Sequence, residues 1–429
     1  MVHTLSILVL VAVFTVATLT PVNMGILAFV AAFLVGTVSG VTLEDVLGYF
    51  PGDTFVLVVG ITLLFGVAKV NGTIDLVVAA SLRLVKGRRW AIVWLMFGLA
   101  AVLMSLGSVL AVGMLAPIAM PIAARYRINP LLMGMMLSHG ALSTAFSPIT
   151  VYGAFSSELV SDAGINLSPL LMFVVPFAFN VVIAAVLFLV LGRDLFKGGP
   201  DDRVELPGPQ EPTGAGGAVG TIAPPRASQA VEVTPMRLLT LTGMLALLVL
   251  GAFGLDVGVA AFVVATALLL LAPNGHKSSG EHIAWPAVLL VCGMLSYMAV
   301  LQENGTLDLL GDAAVALGSP VLAALLLCLS VAIVSAFGSS IGTLGIALPL
   351  AFPLLAGGEI GAVGFIVALG FCSTVVDVSP FSTNGVIVLA QAQVPDKRRF
   401  QRQMLGYTGL VVVGAPLLSW AVAILPSSL

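Results

Sequence analysis

The sequence predicts an all-α polytopic membrane protein of two inverted repeats, each with five transmembrane helices and one re-entrant hairpin. Hydrophobic residues make up 59% of the chain and charged residues 9%, and the mean hydropathy is +1.15. A soluble domain of this length does not have such a composition. Two further observations define the architecture: the second half repeats spaced features of the first, and the basic residues fall on one side of the predicted topology.

The first repeat covers residues 1–192 and contains three kinds of element. Apolar stretches of about 20 residues are long enough to span a hydrocarbon core of about 30 Å. Small residues and prolines interrupt two other apolar stretches, which indicates a hairpin and a broken helix that protein must surround. In order, we expect scaffold helices within 4–70, an interfacial amphipathic helix at 71–89, a hairpin at 90–126, a broken helix at 130–155 and an unbroken helix at 168–191.

A polar segment rich in proline, glycine and alanine separates the two halves at 193–236. It contains too little apolar surface to fold, so we expect a flexible linker. The second repeat then covers 237–429. We expect its scaffold helices at 237–301, its hairpin at 320–357 and its broken helix at 361–391.

Several groups of positions recur at an offset of 232 or 233 residues. Collinear matches at a nearly constant offset predict an internal repeat, and an odd number of crossings inverts the second copy. The Asn-Gly-Thr motifs among them are expected to start and cap helices. The matches pair Val22–Gly25 with Leu255–Gly258, Gly60 with Gly293, Asn71–Leu76 with Asn304–Leu309, Ser108, Gly113, Pro117 and Pro121 with Ser340, Gly345, Pro349 and Pro353, and Ser147–Gly153 with Ser379–Gly385.

The charge distribution predicts the orientation. With the chain folded as two inverted repeats, all 17 lysine and arginine residues fall on one side, and the opposite loops carry only acidic residues. Basic loops mark the cytoplasmic side of a membrane. We therefore expect a multi-pass protein of the cell inner (plasma) membrane, with a cytoplasmic linker and both termini extracytoplasmic.

Two Ser-Pro breaks and two hairpin turns are predicted to meet in one solute-binding site between the repeats. Pro148 and Pro380 lack an N–H, which frees the carbonyls of Thr144 and Val376 as oxygen donors for a small cation such as sodium. Half-helices that begin after the breaks and turns present N–H groups and positive dipole ends, which favour an anion. No basic residue lies inside a predicted span, so an anion has to be held by dipoles, hydroxyls and a bound cation.

Polar side chains near these breaks and turns are the candidate ligands. We expect the substrate to contact Ser108, Thr150, Ser340, Pro380, Ser382, Thr383 and Asn384, and the cation to contact Ser108, Thr144, Ser147, Ser340, Val376, Asp377 and Ser379. Affinity for the anion should then depend on sodium. Sodium is the expected coupling ion, a proton is the alternative, and no other cofactor is expected.

Two ionisable residues are predicted at membrane depth. Asp377 is interpreted as a cation or proton ligand, because intramembrane carboxylates are commonly functional, with helix capping as the alternative. His139 is interpreted as a hydrogen-bonded packing residue, with a coupling or substrate role as the alternative. Asn180 is expected to join helices by hydrogen bonds.

Three stretches of the first half resemble the MatC-type malonate and dicarboxylate carriers of the ion-transporter superfamily, which includes the divalent-anion/sodium symporters. They read TPVNMGILAFVAAFLVG, FPGDTFVLVVGITLLFGVA and LSHGALSTAFSPITVYG. The resemblance implies an elevator-type transporter, usually a homodimer, in which scaffold helices hold a mobile unit of hairpins and broken helices.

In the symporters of this superfamily, a Ser-Asn-Thr motif at each hairpin tip binds sodium and the substrate carboxylate. The corresponding tips here read Gly107-Ser108-Val109 and Ser339-Ser340-Ile341. The resemblance therefore adds Val109 and Ile341 to the expected substrate contacts, and Gly107 and Ser339 to the expected cation ligands. The missing Asn and Thr make the exact contacts differ from the symporter pattern.

These observations predict sodium-coupled symport of a small dicarboxylate, malonate or a C4-dicarboxylate, into the cell. A proton-coupled carboxylate transporter and a cation/proton antiporter of the same superfamily are the alternatives. A channel suits paired hairpins and a long linker less well than alternating access does. An enzyme would need a catalytic dyad, a metal set or a folded cytoplasmic domain, and the sequence indicates none of these.

Overall fold

The computed structural model describes residues 2–85, 88–195, 233–252, 256–273, 278–306, 319–356 and 360–427, together with residues 309 and 358. All regular secondary structure in these residues is helical. Most of the predicted linker, residues 196–232, lies outside them.

The helices of the first half are α1 (Val2–Leu19), α2 (Met24–Ser39), α3 (Leu43–Gly48), α4 (Gly52–Val70), α5 (Thr73–Leu84), α6 (Arg89–Ser105), α7 (Ala111–Arg125), α8 (Pro130–Ser143), α9 (Val151–Asp162) and α10 (Pro169–Leu191). Those of the second half are α11 (Pro235–Ala252), α12 (Val257–Leu271), α13 (Trp285–Glu303), α14 (Pro320–Ser335), α15 (Ser340–Ala356), α16 (Ala362–Val375), α17 (Thr383–Gln391) and α18 (Lys397–Ser419).

Four helical segments of the described chain are long and apolar enough to cross a membrane by length and composition. They are Leu43–Val70, Pro169–Leu191, Trp285–Glu303 and Lys397–Ile424. Nine further helices of the described chain contain apolar segments of 10–17 residues. The predicted long spans therefore form partly as shorter helices, several of which end at a turn or a break.

The first Asn-Gly-Thr motif starts α5 in the predicted way, and the second makes the same local bond. The Asn71 side-chain oxygen accepts from the backbone N–H of Thr73 at 3.0 Å, and the Asn304 oxygen accepts from that of Thr306 at 3.1 Å. The helix predicted after the second motif lies largely outside the described residues. The amide nitrogens of these asparagines bind the first helix of the other half: Asn71 donates to Thr240 of α11 and Asn304 to Ser6 of α1.

Matched glycines meet crosswise between the halves. Helix α2 packs on α13 and α4 packs on α12. A Cβ on Gly25 would lie 1.9 Å from the Leu289 carbonyl oxygen, and a Cβ on Gly60 would lie 2.6 Å from the Gly258 carbonyl oxygen. A Cβ on Gly293 would lie 2.1 Å from the Gly25 carbonyl oxygen. Close backbone approach at small residues is a common way in which membrane helices pack.

A tight turn joins α6 to α7. Gly107 has a φ of +100°, a conformation that favours glycine. Gly107 N–H donates to the Met104 carbonyl at 2.8 Å and Ser108 N–H to the Leu103 carbonyl at 3.0 Å, which closes the end of α6. Residues 336–339 connect α14 to α15 at the matching place in the second half.

The first broken helix is longer than the sequence predicted. We expected it to end near 155, but α9 continues to Asp162. Phe155, Leu159 and Val160 are buried at helical spacing, which extends the apolar face, and Gly164 with a φ of +70° follows the end of the helix.

Candidate functional site

Hydroxyl groups at the first break bind the break to the end of α6. The Thr144 hydroxyl donates to the Ala101 carbonyl at 2.7 Å, and the Ser147 hydroxyl donates to the Ser105 carbonyl at 2.8 Å. The Ser105 carbonyl is one of the last of α6 and has no partner within the helix, whereas the Ala101 carbonyl lies within the helix and accepts from Thr144 through its second lone pair. Both hydroxyl protons are therefore in use, while the oxygen lone pairs of Thr144 and Ser147 stay available to a cation.

Thr150 has a structural role at the same break. Its hydroxyl donates to the carbonyls of Ala145 and Ser147, and its oxygen accepts from the N–H of Gly153 at 3.0 Å. This is the N-cap of α9. To donate a hydrogen bond to the substrate, as predicted, the Thr150 hydroxyl would have to turn away from these carbonyls.

Ser108 is the least committed predicted ligand of the first half. Its side chain is 2% exposed, and its hydroxyl lies 3.7 Å from the sulfur of Met114, a weak acceptor. Gly107 is buried beside it, and Val109 is half-buried. The Ser108 hydroxyl can therefore turn to a stronger acceptor at low cost.

Asp377 caps the half-helix beyond the second break. Its carboxylate accepts from the backbone N–H of Asn384 at 3.1 Å. The side chain is 4% exposed. The structure thus supports the capping alternative, but it also leaves a buried carboxylate whose described partners are all neutral.

A second group of hydroxyls joins the end of α14 and the start of α15 to the residues before the second break. Ser335, at the end of α14, donates to the Ser373 carbonyl at 2.5 Å, and its oxygen lies 3.1 Å from that of Ser340. Ser340 is 3% exposed. Ser335 and Ser373 were not predicted, because both lie inside apolar helices and have the ordinary spacing of core serines.

The remaining predicted ligands are divided between the interior and the surface. Ser379 accepts from Phe381 N–H at 3.2 Å, and Ser382 donates to the Ser379 carbonyl at 2.8 Å. Ile341, Pro380 and Asn384 are buried, whereas Ser339 and Thr383 are exposed.

The expectation of free carbonyls beside the prolines is wrong. The Thr144 carbonyl accepts from Ser147 N–H at 3.1 Å and the Val376 carbonyl accepts from Ser379 N–H at 3.1 Å. Because Pro148 and Pro380 have no N–H, the residue before each proline closes a tighter turn onto the same carbonyl. Each carbonyl keeps one lone pair for a cation.

The half-helix ends are also less open than predicted. Thr150 caps α9, Asp377 caps α17, and the Ser339 oxygen accepts from Gly342 N–H at 3.3 Å at the start of α15. Among these four starts, only α7 has no side-chain cap bond. At the starts of α9, α15 and α17, an anion can accept hydrogen bonds only from the backbone N–H groups that the caps leave unbonded.

The two halves of the site are brought together by crosswise packing. Helix α9 packs on α15 and α17 packs on α7. A Cβ on Gly345 would lie 2.9 Å from the Phe155 ring, and a Cβ on Gly113 would lie 3.5 Å from the Ile387 side chain. Each helix that begins beyond a break therefore lies against a helix that begins at a turn in the other half, α9 against α15 and α17 against α7.

Tyr152 was missed by the sequence interpretation, which regarded it as the residue that replaces Asn384 in the first copy. It lies buried in the first turn of α9, beside the Phe146 ring, and α9 packs on α15, the helix that begins at Ser340. Its position directly after a Ser-Pro break was the available signal.

His139 lies outside this cluster. Its Nδ1 is 2.8 Å from the Asn180 side-chain oxygen and its Nε2 is 2.5 Å from the Tyr407 hydroxyl. Nδ1 has to donate to the amide oxygen, so Nε2 accepts from the tyrosine and the ring is neutral with both nitrogens in use. These contacts agree with the packing interpretation of His139, and the bond from His139 of α8 to Asn180 of α10 joins two helices as expected.

The comparisons with known proteins describe carriers in both halves. Residues 1–145 match the family model of the dicarboxylate carrier protein MatC N-terminus, and residues 245–427 match the citrate transporter model. No curated protein has significant sequence similarity to the chain. Among solved structures, the fold is similar to that of the Alcanivorax borkumensis YdaH transporter, with 17% identity, a TM-score of 0.54, and coverage of 88% of this chain and 86% of that one.

The helical fold and the two family matches define a multi-pass membrane protein of the carrier class. The N-terminal part of the chain is thus similar to the MatC dicarboxylate carriers, and its C-terminal part is similar to citrate transporters.

Proposed function

We propose that this protein is a secondary active transporter that moves a small dicarboxylate, malonate or a C4-dicarboxylate, together with sodium. The observation that carries the proposal is the convergence of two hairpin turns and two broken helices around buried hydroxyls and one buried carboxylate, Asp377. The buried polar residues of the described chain include no lysine or arginine. An anion here has to be balanced by a cation that binds with it.

The same observation favours a second candidate, coupling to a proton. Asp377 is buried and its partners are neutral, so protonation would also relieve the cost of burying its charge. Sodium is the preferred ion, because the hydroxyl oxygens of Ser147 and Ser340 and the carbonyl oxygens of Thr144 and Val376 are hard donors near each break.

We also propose that transport proceeds by an elevator movement of inverted repeats. The glycine contacts support the repeat, because a two-fold axis that relates the halves would convert the contact of Gly25 with Gly293 into the contact of Gly258 with Gly60. We infer that α1–α4 and α11–α13 form the scaffold, and that the hairpins and broken helices move. The scaffold and the proposed mobile unit touch where Thr54 of α4 donates to Glu158 of α9.

The rest of the proposal follows from charge and family. We propose a homodimer in the plasma membrane, with a cytoplasmic linker and extracytoplasmic termini. Thiol labelling of single cysteines placed in the linker and near Met1 would test this orientation. The linker cysteine should react only from the cytoplasmic side, and the cysteine near Met1 only from the opposite side.

Uptake into proteoliposomes tests the transport proposal. With the purified protein, labelled malonate or succinate should accumulate under an inward sodium gradient at constant pH. If uptake is unchanged when potassium replaces sodium, but rises with an inward proton gradient, the coupling ion is the proton and not sodium. The absence of saturable dicarboxylate uptake in either gradient would contradict the proposed function.

A further inference from the structure

The turn between α7 and α8 has an arginine in a backbone conformation that favours glycine. Arg127 has a φ of +52°, and in the described part of the chain it is the only residue other than glycine with a positive φ. Its N–H donates to the Ala124 carbonyl at 3.3 Å, and Ile128 N–H donates to the Ala123 carbonyl at 2.8 Å. This is the Schellman end of a helix, at which glycine is the usual residue. An arginine here costs backbone strain, which points to a role for its side chain.

A second arginine holds this turn. Arg89, the first residue of α6, donates from Nε to the Tyr126 carbonyl at 2.8 Å and from Nη2 to the Arg127 carbonyl at 2.7 Å. The planar guanidinium thereby fixes the start of α6 beside the end of α7. Arg89 is half-buried, whereas Arg88, Arg125 and Arg127 are exposed. Three exposed arginines consequently lie within two residues of one contact.

The segments that form this contact carry only positive charge. Between Asp75 and Glu158 the chain contains no acidic residue. The basic residues in the same interval are Arg83, Lys86, Arg88, Arg89, Arg125 and Arg127. The exposed arginines therefore form a surface that fits an anionic partner.

The same arginines lie where apolar helices end. Arg88 and Arg89 are followed directly by the apolar residues of α6, and Arg125 is the last residue of the apolar helix α7. Trp90, next to Arg89, is 40% exposed. Exposed tryptophan and arginine side chains at the ends of apolar helices are typical of the level of the lipid headgroups.

We propose that Arg88, Arg125 and Arg127 form a binding surface for the phosphate headgroups of anionic lipids, with Trp90 against the upper part of the acyl chains. The anionic lipids of the cytoplasmic leaflet attract basic residues near the membrane surface, and arginine binds phosphate through paired hydrogen bonds. A lipid on this surface bridges the start of α6 and the turn before α8. Lipid binding here does not depend on the dicarboxylate site.

Arg127→Gly separates lipid binding from a structural role. Glycine adopts the φ of +52° without strain, so the unfolding temperature in neutral detergent should equal or exceed that of the wild type. The affinity of the full purified chain for phosphatidylglycerol, measured by native mass spectrometry, should fall about fivefold, the effect of one basic residue at an anionic surface. Arg127→Lys keeps the charge and should bind within about twofold of the wild type.

Arg88→Gln removes a second charge from the same surface. It should also weaken phosphatidylglycerol binding about fivefold, and high salt should reduce the difference from the wild type. Arg193→Gln is the matched control, because it removes an exposed arginine that lies beside Asp194 and outside this surface. Its affinity for phosphatidylglycerol should stay within about twofold of wild type. Phosphatidylcholine should bind equally weakly to all of these variants.

The proposal is overturned if Arg127→Gly binds phosphatidylglycerol like the wild type. It is also overturned if Arg193→Gln weakens binding as much, since the attraction would then reflect net charge, or if inorganic phosphate displaces the lipid, since the ligand would then be free phosphate. Should Arg127→Gly not fold, unchanged binding in Arg88→Gln overturns it. The assay contains no dicarboxylate, so its failure leaves the proposed transport function untouched.

Discussion

At the residue scale, one position combines a structural and a chemical role. Asp377 holds the start of α17 through Asn384, and it is also a buried carboxylate at the second break. In the first half, Ala145 occupies the matched position and Thr150 caps the helix instead. The two halves therefore use different side chains for the same capping task, and only the second half adds a charge. Cation chemistry should accordingly be concentrated in the second half.

Asp377→Asn separates the two roles. Asparagine is as good an N-cap as aspartate, so the variant should fold with an unchanged unfolding temperature, but it lacks the charge. We expect the sodium concentration for half-maximal dicarboxylate binding to rise at least about tenfold, because a carboxylate ligand is lost.

Asp377→Ala is the matched control, since it removes the cap as well and should cost about 1 kcal/mol of stability. Sodium and proton dependence in Asp377→Asn identical to that of the wild type would leave Asp377 with the capping role alone.

At the element scale, the fold depends on backbone contacts at matched glycines. Helices α2 and α13 approach at Gly25 and Gly293, and α4 and α12 at Gly60 and Gly258. The repeat offset pairs Gly25 with Gly258 and Gly60 with Gly293. It could not indicate that Gly25 would contact Gly293, or that Gly60 would contact Gly258. These contacts depend on how the halves pack, which no local spacing encodes.

Gly25→Ala should destabilise the protein. Its Cβ would lie 1.9 Å from a carbonyl oxygen, so the helices have to separate, at a cost of about 1–3 kcal/mol or more. Gly98→Ala in α6 meets no atom within 4 Å and should be neutral or stabilising by up to about 1 kcal/mol, since alanine favours helix. Thermal unfolding of both variants in detergent measures the difference, and equal unfolding temperatures would contradict the crosswise contact.

At the scale of the whole molecule, the sequence predicted the breaks, the caps and the division into two halves. Proline marked the breaks at Pro148 and Pro380, and asparagine marked the helix start at Asn71, because these residues act on the backbone next to them. Ser335 could not be predicted as a site residue. Its partners, Ser340 and the Ser373 carbonyl, lie on other helices and are brought to it only by tertiary packing.

The proposed elevator movement makes a prediction about crosslinks. In a background without Cys292, Cys328 and Cys372, cysteines at Met24 and Gly342 connect the scaffold to the second hairpin, since a Cβ on Gly342 would lie 2.9 Å from the Met24 sulfur. A mercuric ion that bridges them should abolish uptake, and an added thiol should restore it.

The matched control joins two scaffold helices. A Cβ on Gly243 of α11 would lie 2.7 Å from the Val264 side chain of α12, so cysteines at these positions should also be bridged. Uptake should persist there, because these helices do not move relative to each other. Undiminished uptake in the bridged Met24 and Gly342 variant would contradict the assignment of scaffold and mobile unit.

The central claim is that the two halves form one dicarboxylate site whose affinity depends on a bound cation. Equilibrium binding of labelled dicarboxylate to the purified chain, titrated with sodium at constant pH and ionic strength, tests it most directly. We predict one saturable site per chain and an affinity that rises steadily with sodium. Two equivalent sites per chain, or the same affinity in sodium and in potassium, would contradict the claim.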